Sequence, residues 1–167
     1  VAHIEIPARL AARPQYHGMP VPWIAIWAPD EPPQFGANDG KRTRDAFVLR
    51  LCALCGQKLE YRFAFIGSYR ECYDTRTFNE PAMCIECALY AAAVCPYLVT
   101  EGYVARHQPR FKKSKLLNPE DAPPPRRRDD WHGLYVTRSY EVVPSRDMIG
   151  EPVAKAAKAI EIRSLEC

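Results

Sequence analysis

The sequence predicts a small α+β fold, and three observations predict it. Two Cys-x-x-Cys pairs, Cys52/Cys55 and Cys84/Cys87, stand 28 residues apart. The segment between them alternates apolar and polar residues as strands do. The second pair opens a stretch whose alanines 88, 91, 92 and 93 favour helix.

The elements follow in order. His3–Ile6 alternates and reads as a short N-terminal strand, followed by loop to residue 20. Trp23–Trp27, an apolar run between Pro22 and Pro29, reads as a buried strand. Residues 28–40 hold three prolines and two glycines and read as loop. Lys41–Arg50 reads as a short helix with Phe47, Val48 and Leu51 turned inward. Tyr61–Ile66 alternates, Gly67-Ser68 marks a turn, and Tyr69–Tyr73 suits a returning strand. A helix is expected from about Met83 to Val94, ended by Pro96. Leu134–Thr137 and Tyr140–Val143 read as strands. From Pro152 the Ala/Lys-rich tail favours helix, although Ile160 and Ile162 also alternate.

The cysteine spacing points to a metal. Two Cys-x-x-Cys pairs supply four soft thiolates, the closed tetrahedral set that structural zinc prefers. Gly56 allows the tight turn of a knuckle after the first pair. Cys84 and Cys87 fall in the first turn of a helix, where residues i and i+3 share a face. Knuckle, β-hairpin and helix-borne ligands together make a treble-clef-like unit with flanking N- and C-terminal strands. One structural Zn²⁺ on Cys52, Cys55, Cys84 and Cys87 is the expectation, contributing on the order of 10–16 kcal/mol of apparent folding energy. The cluster would carry a formal −2, which Arg50, Lys58 and Arg62 are near enough in sequence to offset. Cys95 lies roughly 16 Å up the helix axis from Cys84 and cannot reach the same ion. It is expected to pack with Ala91, Val94 and Leu98. Cys72 is expected on a hairpin face and Cys167 as an exposed free thiol.

Composition sets further bounds. The chain has 167 residues, of which 26% are charged, 47% hydrophobic and seven cysteine. An odd cysteine count argues against a closed disulfide framework. Val1–Leu10 is broken by His3, Glu5 and Arg9, so no signal-peptide core is expected. No apolar run reaches the roughly 18 residues of a membrane span. A reducing bacterial cytosol is the expected setting.

The net charge of +3 conceals a division. Residues 106–128 hold eight Lys/Arg against Glu120 and Asp121, a local excess of +6 that leaves the remainder about −3. With Pro123–Pro125 this segment reads as a linker or basic arm, residues 105–130, between a zinc-binding α+β domain (1–104) and C-terminal strands (131–167) packed on it.

Some of these residues also carry a resemblance. Leu51-Cys52-x-x-Cys55-Gly56-x-x-Leu59, Glu80-Pro81-x-Met83-Cys84-x-x-Cys87-Ala88 and Cys95-Pro96-Tyr97-Leu98 resemble an uncharacterised family encoded by bacteriophages and prophages. Gly18-x-Pro20-Val21-Pro22-Trp23 and Tyr135–Tyr140 resemble its flanking elements. In that family the position of Cys84 is usually His, a swap that preserves zinc chemistry. The resemblance implies a phage setting and no assigned activity.

Enzymatic readings find little support in the residues. A treble-clef nuclease needs a His between its ligand pairs to activate water. The four histidines (His3, His17, His107 and His132) all lie outside residues 56–83, so only a degenerate nuclease remains as an enzyme reading. His132, beside Asp129, Asp130 and Trp131, reads either as an acid–base cluster or as a solvated strand start. No phosphate-binding glycine loop or nucleophile elbow occurs. Two non-enzymatic readings remain. One is a protein-interaction adaptor for a host or phage protein, with aromatics such as Trp23, Trp27 and Tyr97 as core or interface anchors. The other is a DNA/RNA-binding module. In it Arg106, Arg110, Lys112, Lys113, Lys115, Arg126, Arg127 and Arg128 contact phosphates, and Phe111 or Trp131 stacks on bases. The plainer reading of the same charge run is a solvated linker.

Overall fold

The computed structural model describes residues 4–28, 30–95, 98, 131–146 and 151–165. The chain opens with one helical turn, α1 (Ala8–Ala11), which buries Leu10. A minimal hairpin follows, β1 (Gln15–Tyr16) with β2 (Met19–Pro20), closed through His17 and Gly18 at positive φ. β3 (Ala25–Ile26) pairs with β4 (Gln34–Asn38). Asp39 then caps α2 (Gly40–Leu49) by accepting the Arg42 N–H at 2.8 Å. After the first cysteine pair come β5 (Phe63–Ser68), a π-helical turn (Arg70–Thr75), β6 (Thr77–Phe78) and α3 (Ile85–Val94). Four strands complete the fold: β7 (His132–Thr137), β8 (Tyr140–Pro144), β9 (Pro152–Ala156) and β10 (Ala159–Ser164).

These last four strands are one bent ribbon. β8 pairs with β9 from Pro144↔Pro152 to Tyr140↔Ala156, and β7 continues on β10 from Thr137↔Ala159. A bulge at Ile160 then shifts the register by one. The bend at 137–140 is fixed by polar groups. The Tyr135 hydroxyl donates to the Ala157 carbonyl at 2.6 Å. The buried Thr137 Oγ1 faces the carbonyls of Ser139, Ala157 and Lys158 at 3.2–3.3 Å. The bend turns the two halves of the ribbon into two three-stranded sheets. β5 adds to one half (order β10-β7-β5) and β6 to the other (order β6-β9-β8).

The core sits where these sheets meet. Phe65 stacks on Phe78 with ring centroids 4.6 Å apart, and Tyr140 stands edge-on to both Phe63 and Phe65. The Tyr140 hydroxyl donates to the Phe47 carbonyl at 2.8 Å and so fastens α2 to β8. The Arg50 guanidinium covers the Phe63 and Tyr140 rings at 5.2 and 5.3 Å. α3 packs against β5 and β7.

Several expectations are corrected. Residues 4–6 are not a strand; residue 3 lies outside the described residues. The strand expected over Trp23–Trp27 shrinks to Ala25–Ile26, and its partner β4 arises from the segment read as loop. In α2, Phe47 is buried but Val48 is 66% exposed, because Ala46 and Phe47 carry the buried face. Tyr69–Tyr73 does not return as a strand. There the Glu71 carboxylate accepts the Ser68 N–H and hydroxyl and holds a turn, and β5 takes β7 as its partner instead. The Ala/Lys-rich tail is strand rather than helix. Pairing with β7 and β8 overrides its propensity, burying Val153, Ala154 and Ala156.

Candidate metal centre

The site is built by turning the chain sharply after α2. Arg50 adopts left-handed φ 56° and ψ 52° as the helix C-cap, and Leu51 N–H bonds back to the Ala46 carbonyl. The knuckle is a short loop closed by the Leu51↔Lys58 bridge. Within it Cys52 N–H donates to Gln57 O and Gly56 N–H to Cys52 O, both at 2.8 Å. Gly56 has φ +75°, and a Cβ there would lie 2.5 Å from the Trp23 indole. Glycine is therefore required twice, by the turn and by the packing.

Backbone bonds hold the knuckle in place and bring the second pair to the first. Trp23 and Ile24 donate to the carbonyls of Leu54 and Ala53. Ala53 N–H reaches the Ala82 carbonyl at 3.0 Å. The Ala64↔Met83 bridge, bonded in both directions, then sets down Cys84 as the N-cap of α3, with Cys87 one turn on.

The result is a closed cluster. The Sγ atoms of Cys52, Cys55, Cys84 and Cys87 all lie within 4.8 Å of one another, and all four residues are buried. Cys55 and Cys84 are 3.7 Å apart, Sγ to Sγ. A tetrahedral ion with metal–sulfur bonds of about 2.3 Å sets its sulfurs about 3.8 Å apart. None of these cysteines forms a disulfide. Two backbone N–H groups point at the Cys52 sulfur, from Cys55 at 3.5 Å and Cys84 at 3.4 Å. Such donors stabilise thiolate over thiol. Hydrogen bonding to Cys52, and then to Cys87, holds Cys55 down at about 7. Cys87 is pushed the other way by its bonds to Cys52, Cys55 and Cys84. Four thiolates cannot crowd into this volume without a cation among them.

Arg9 beside the cluster is a contact that spacing did not reveal. Its Nη1 donates to Cys84 Sγ at 3.5 Å, and its Nε lies 3.9 Å from Glu86. Arg50, expected to offset the cluster charge, is instead spent on the aromatic core.

The remaining candidates separate clearly. Cys72 is buried inside the π-helical turn, where burial pushes its thiol up to about 12, and so it is inert. Cys95 follows α3 and is half-buried, as are Ala91, Val94 and Leu98. His132 is buried on β7, which corrects the reading of a solvated strand start. Trp23 and Trp27 are both half-buried. Arg106, Arg110, Lys112, Lys113, Lys115, Arg126, Arg127 and Arg128 lie outside the described residues, as do Tyr97, Phe111, Asp129, Asp130 and Cys167. No helix among the described residues is long and apolar enough to cross a membrane.

No protein-family model, curated protein or solved structure matches the chain.

Proposed function

We propose that the chain is a non-enzymatic binding module whose fold depends on one structural Zn²⁺ held by Cys52, Cys55, Cys84 and Cys87. In the phage or prophage setting that its motifs suggest, it acts as an adaptor for a host or phage protein. The observation carrying this reading is the closed, buried set of four sulfurs. Four protein ligands leave no coordination position for a substrate or a reactive water, which separates structural from catalytic zinc. The knuckle at 51–58, the Ala64↔Met83 bridge and the N-terminus of α3 support a treble-clef-type unit, its hairpin reduced to that single bridge.

A shallow apolar groove between α2 and β8–β9 supports a protein partner. It is lined by Val48, Val142, Val143, Pro144 and Pro152 together with Arg44 and Glu151, and measures about 220 Å³. Elemental analysis of reduced protein tests the metal: one zinc per chain is expected, and less than half would overturn the reading. Affinity capture from a bacterial lysate tests the adaptor. The expected result is a stoichiometric protein partner that Val48→Asp no longer retains. Plasmid incubated with the protein and added divalent metal should remain intact.

A nucleic-acid-binding role is the second reading, favoured by one specific observation. Tyr69, Tyr73 and Trp131, from two distant parts of the chain, form a three-ring surface cluster.

A further inference from the structure

We infer that residues 7–13, α1 and its flanks, form a strap over the outer side of the metal centre and set the rate at which metal enters and leaves, an inference that rests on the zinc reading above.

The cluster is not closed equally on all sides. Cys52 and Cys87 are fully buried, whereas Cys55 and Cys84 keep 6% and 7% of their surface. These two residues carry the sulfurs that lie 3.7 Å apart, so together they form the outer edge of the cluster. The strap lies along that edge. Arg9 Nη1 reaches Cys84 Sγ at 3.5 Å. Burial and the neighbouring Arg42 push the Arg13 guanidinium down, and the charge of Cys55 opposes them, so Arg13 stands within electrostatic reach of the second outer ligand. Four thiolates around a dication carry a formal −2, which draws both arginines onto a loaded centre.

The strap is fastened to the rest of the fold by side chains. Its backbone bonds are internal: Leu10 N–H and Ala11 N–H donate to Pro7 O, and Arg13 N–H donates to Leu10 O. Among the described residues, no backbone-to-backbone hydrogen bond joins residues 7–13 to another part of the chain. Leu10, buried in the core, is the peg. Arg9 adds its contacts to Cys84 and Glu86, and Arg13 Nε donates to the Val21 carbonyl at 3.1 Å. A single helical turn does not persist by its own bonds. A segment held this way belongs to the low-stability end of local opening. It lifts when Leu10 leaves the core, without breaking a sheet or the knuckle. Lifting uncovers Cys55 and Cys84 together, the two ligands that an incoming chelator meets first.

The test follows zinc passing from the full chain to an excess of chromogenic chelator. Mass spectrometry identifies which cysteine of the zinc-loaded protein N-ethylmaleimide modifies first. Leu10→Ala loosens the peg and should speed zinc loss by about 10- to 100-fold. Arg9→Gln/Arg13→Gln leaves the core untouched and should speed it by about 10-fold. Val153→Ala trims a buried residue of β9 and is the control for general loosening. It should lose zinc within about 2-fold of the parent, because local opening of the strap does not pass through β9. Urea denaturation of each variant reads global stability separately. Cys55 or Cys84 should be modified before Cys52 or Cys87, and faster in the two strap variants.

Equal rates of zinc loss in the parent and both strap variants would overturn the strap and leave the zinc reading intact. So would a Val153→Ala protein that loses zinc as fast as Leu10→Ala, or first modification at Cys52 or Cys87. Should Leu10→Ala fail to fold, the arginine variant alone decides. Parent protein that holds no zinc would overturn the metal reading, and this inference with it.

Discussion

Arg9 Nη1 lies 3.5 Å from Cys84 Sγ, although the two residues are 75 positions apart. The contact joins the first helical turn of the chain to the last half of the cysteine cluster. It also places a fixed positive charge beside a centre that carries a formal −2 when four thiolates hold a dication. Arg9 stays partly open to water, with its side chain 44% exposed. It lies beside the cluster and is not one of its four sulfur donors.

Replacing Arg9 with Gln should leave the fold intact and weaken metal retention. Partners that hydrogen-bond metal ligands typically alter affinity 10–100-fold, and exposure puts Arg9 at the low end, about 10-fold. Competition with a chromogenic chelator measures this directly. Unchanged zinc affinity in Arg9→Gln would show that the contact is incidental.

Each of the four ligands should be individually indispensable, and the spare thiols should not. Cys52→Ser or Cys87→Ser leaves three sulfurs and should bring the zinc content close to zero, with loss of the cooperative thermal transition. Cys84→His retains a closed nitrogen–sulfur set and should keep about one zinc per chain. Cys72→Ala should also keep its zinc while costing about 1–2 kcal/mol of packing, since Cys72 is buried away from the cluster. A Cys84→His protein that cannot hold metal would show that the backbone at the N-terminus of α3 tolerates only sulfur.

The sequence made the four cysteines legible because Cys-x-x-Cys is a local code, readable from spacing alone. Tyr61–Ile66, Leu134–Thr137 and Tyr140–Val143 read as strands for the same reason, their alternation or apolar character being local; the strands found, Phe63–Ser68, His132–Thr137 and Tyr140–Pro144, are shifted at their ends, and Gly67-Ser68 pairs with β7 instead of making the expected turn. What was not legible depends on partners far away in sequence. The tail at 152–164 is Ala-rich, and only the ribbon formed with 132–144 makes it strand. Tyr69–Tyr73 has strand-favouring residues, but the Glu71–Ser68 bonds and the competing β7 strand turn it into a helical turn. Arg9 at the metal centre and the meeting of Tyr69 with Trp131 are long-range contacts that no spacing announces.

Gly56 tests how tightly the knuckle is packed. Gly56→Ala would force a Cβ to within 2.5 Å of the Trp23 ring at a residue held at φ +75°. Overpacking and left-handed strain together should cost about 2–4 kcal/mol. Combining it with Trp23→Leu opens the space and should recover the packing part, leaving only the backbone strain. Thermal denaturation of the two variants separates these contributions. An equal loss with and without the tryptophan would place the whole cost in the backbone.

Tyr140 predicts an alkaline limb of stability. Burial pushes its hydroxyl up to about 12, with the Arg50 guanidinium pulling weakly the other way. In the unfolded chain the group titrates near 10. Below pH 10 the phenol is neutral in both states, and its bond to the Phe47 carbonyl contributes in full. Between 10 and 12 only the unfolded chain ionises, so stability falls by about 1 kcal/mol per pH unit. Tyr140→Phe should cost about 1–2 kcal/mol at neutral pH, because it leaves the Phe47 carbonyl without that donor. It should also lose this alkaline limb, so the gap between the two proteins narrows above pH 10. Urea denaturation at pH 8, 10 and 11 measures both effects. A gap that stays constant across that range would mean that Tyr140 does not titrate with folding.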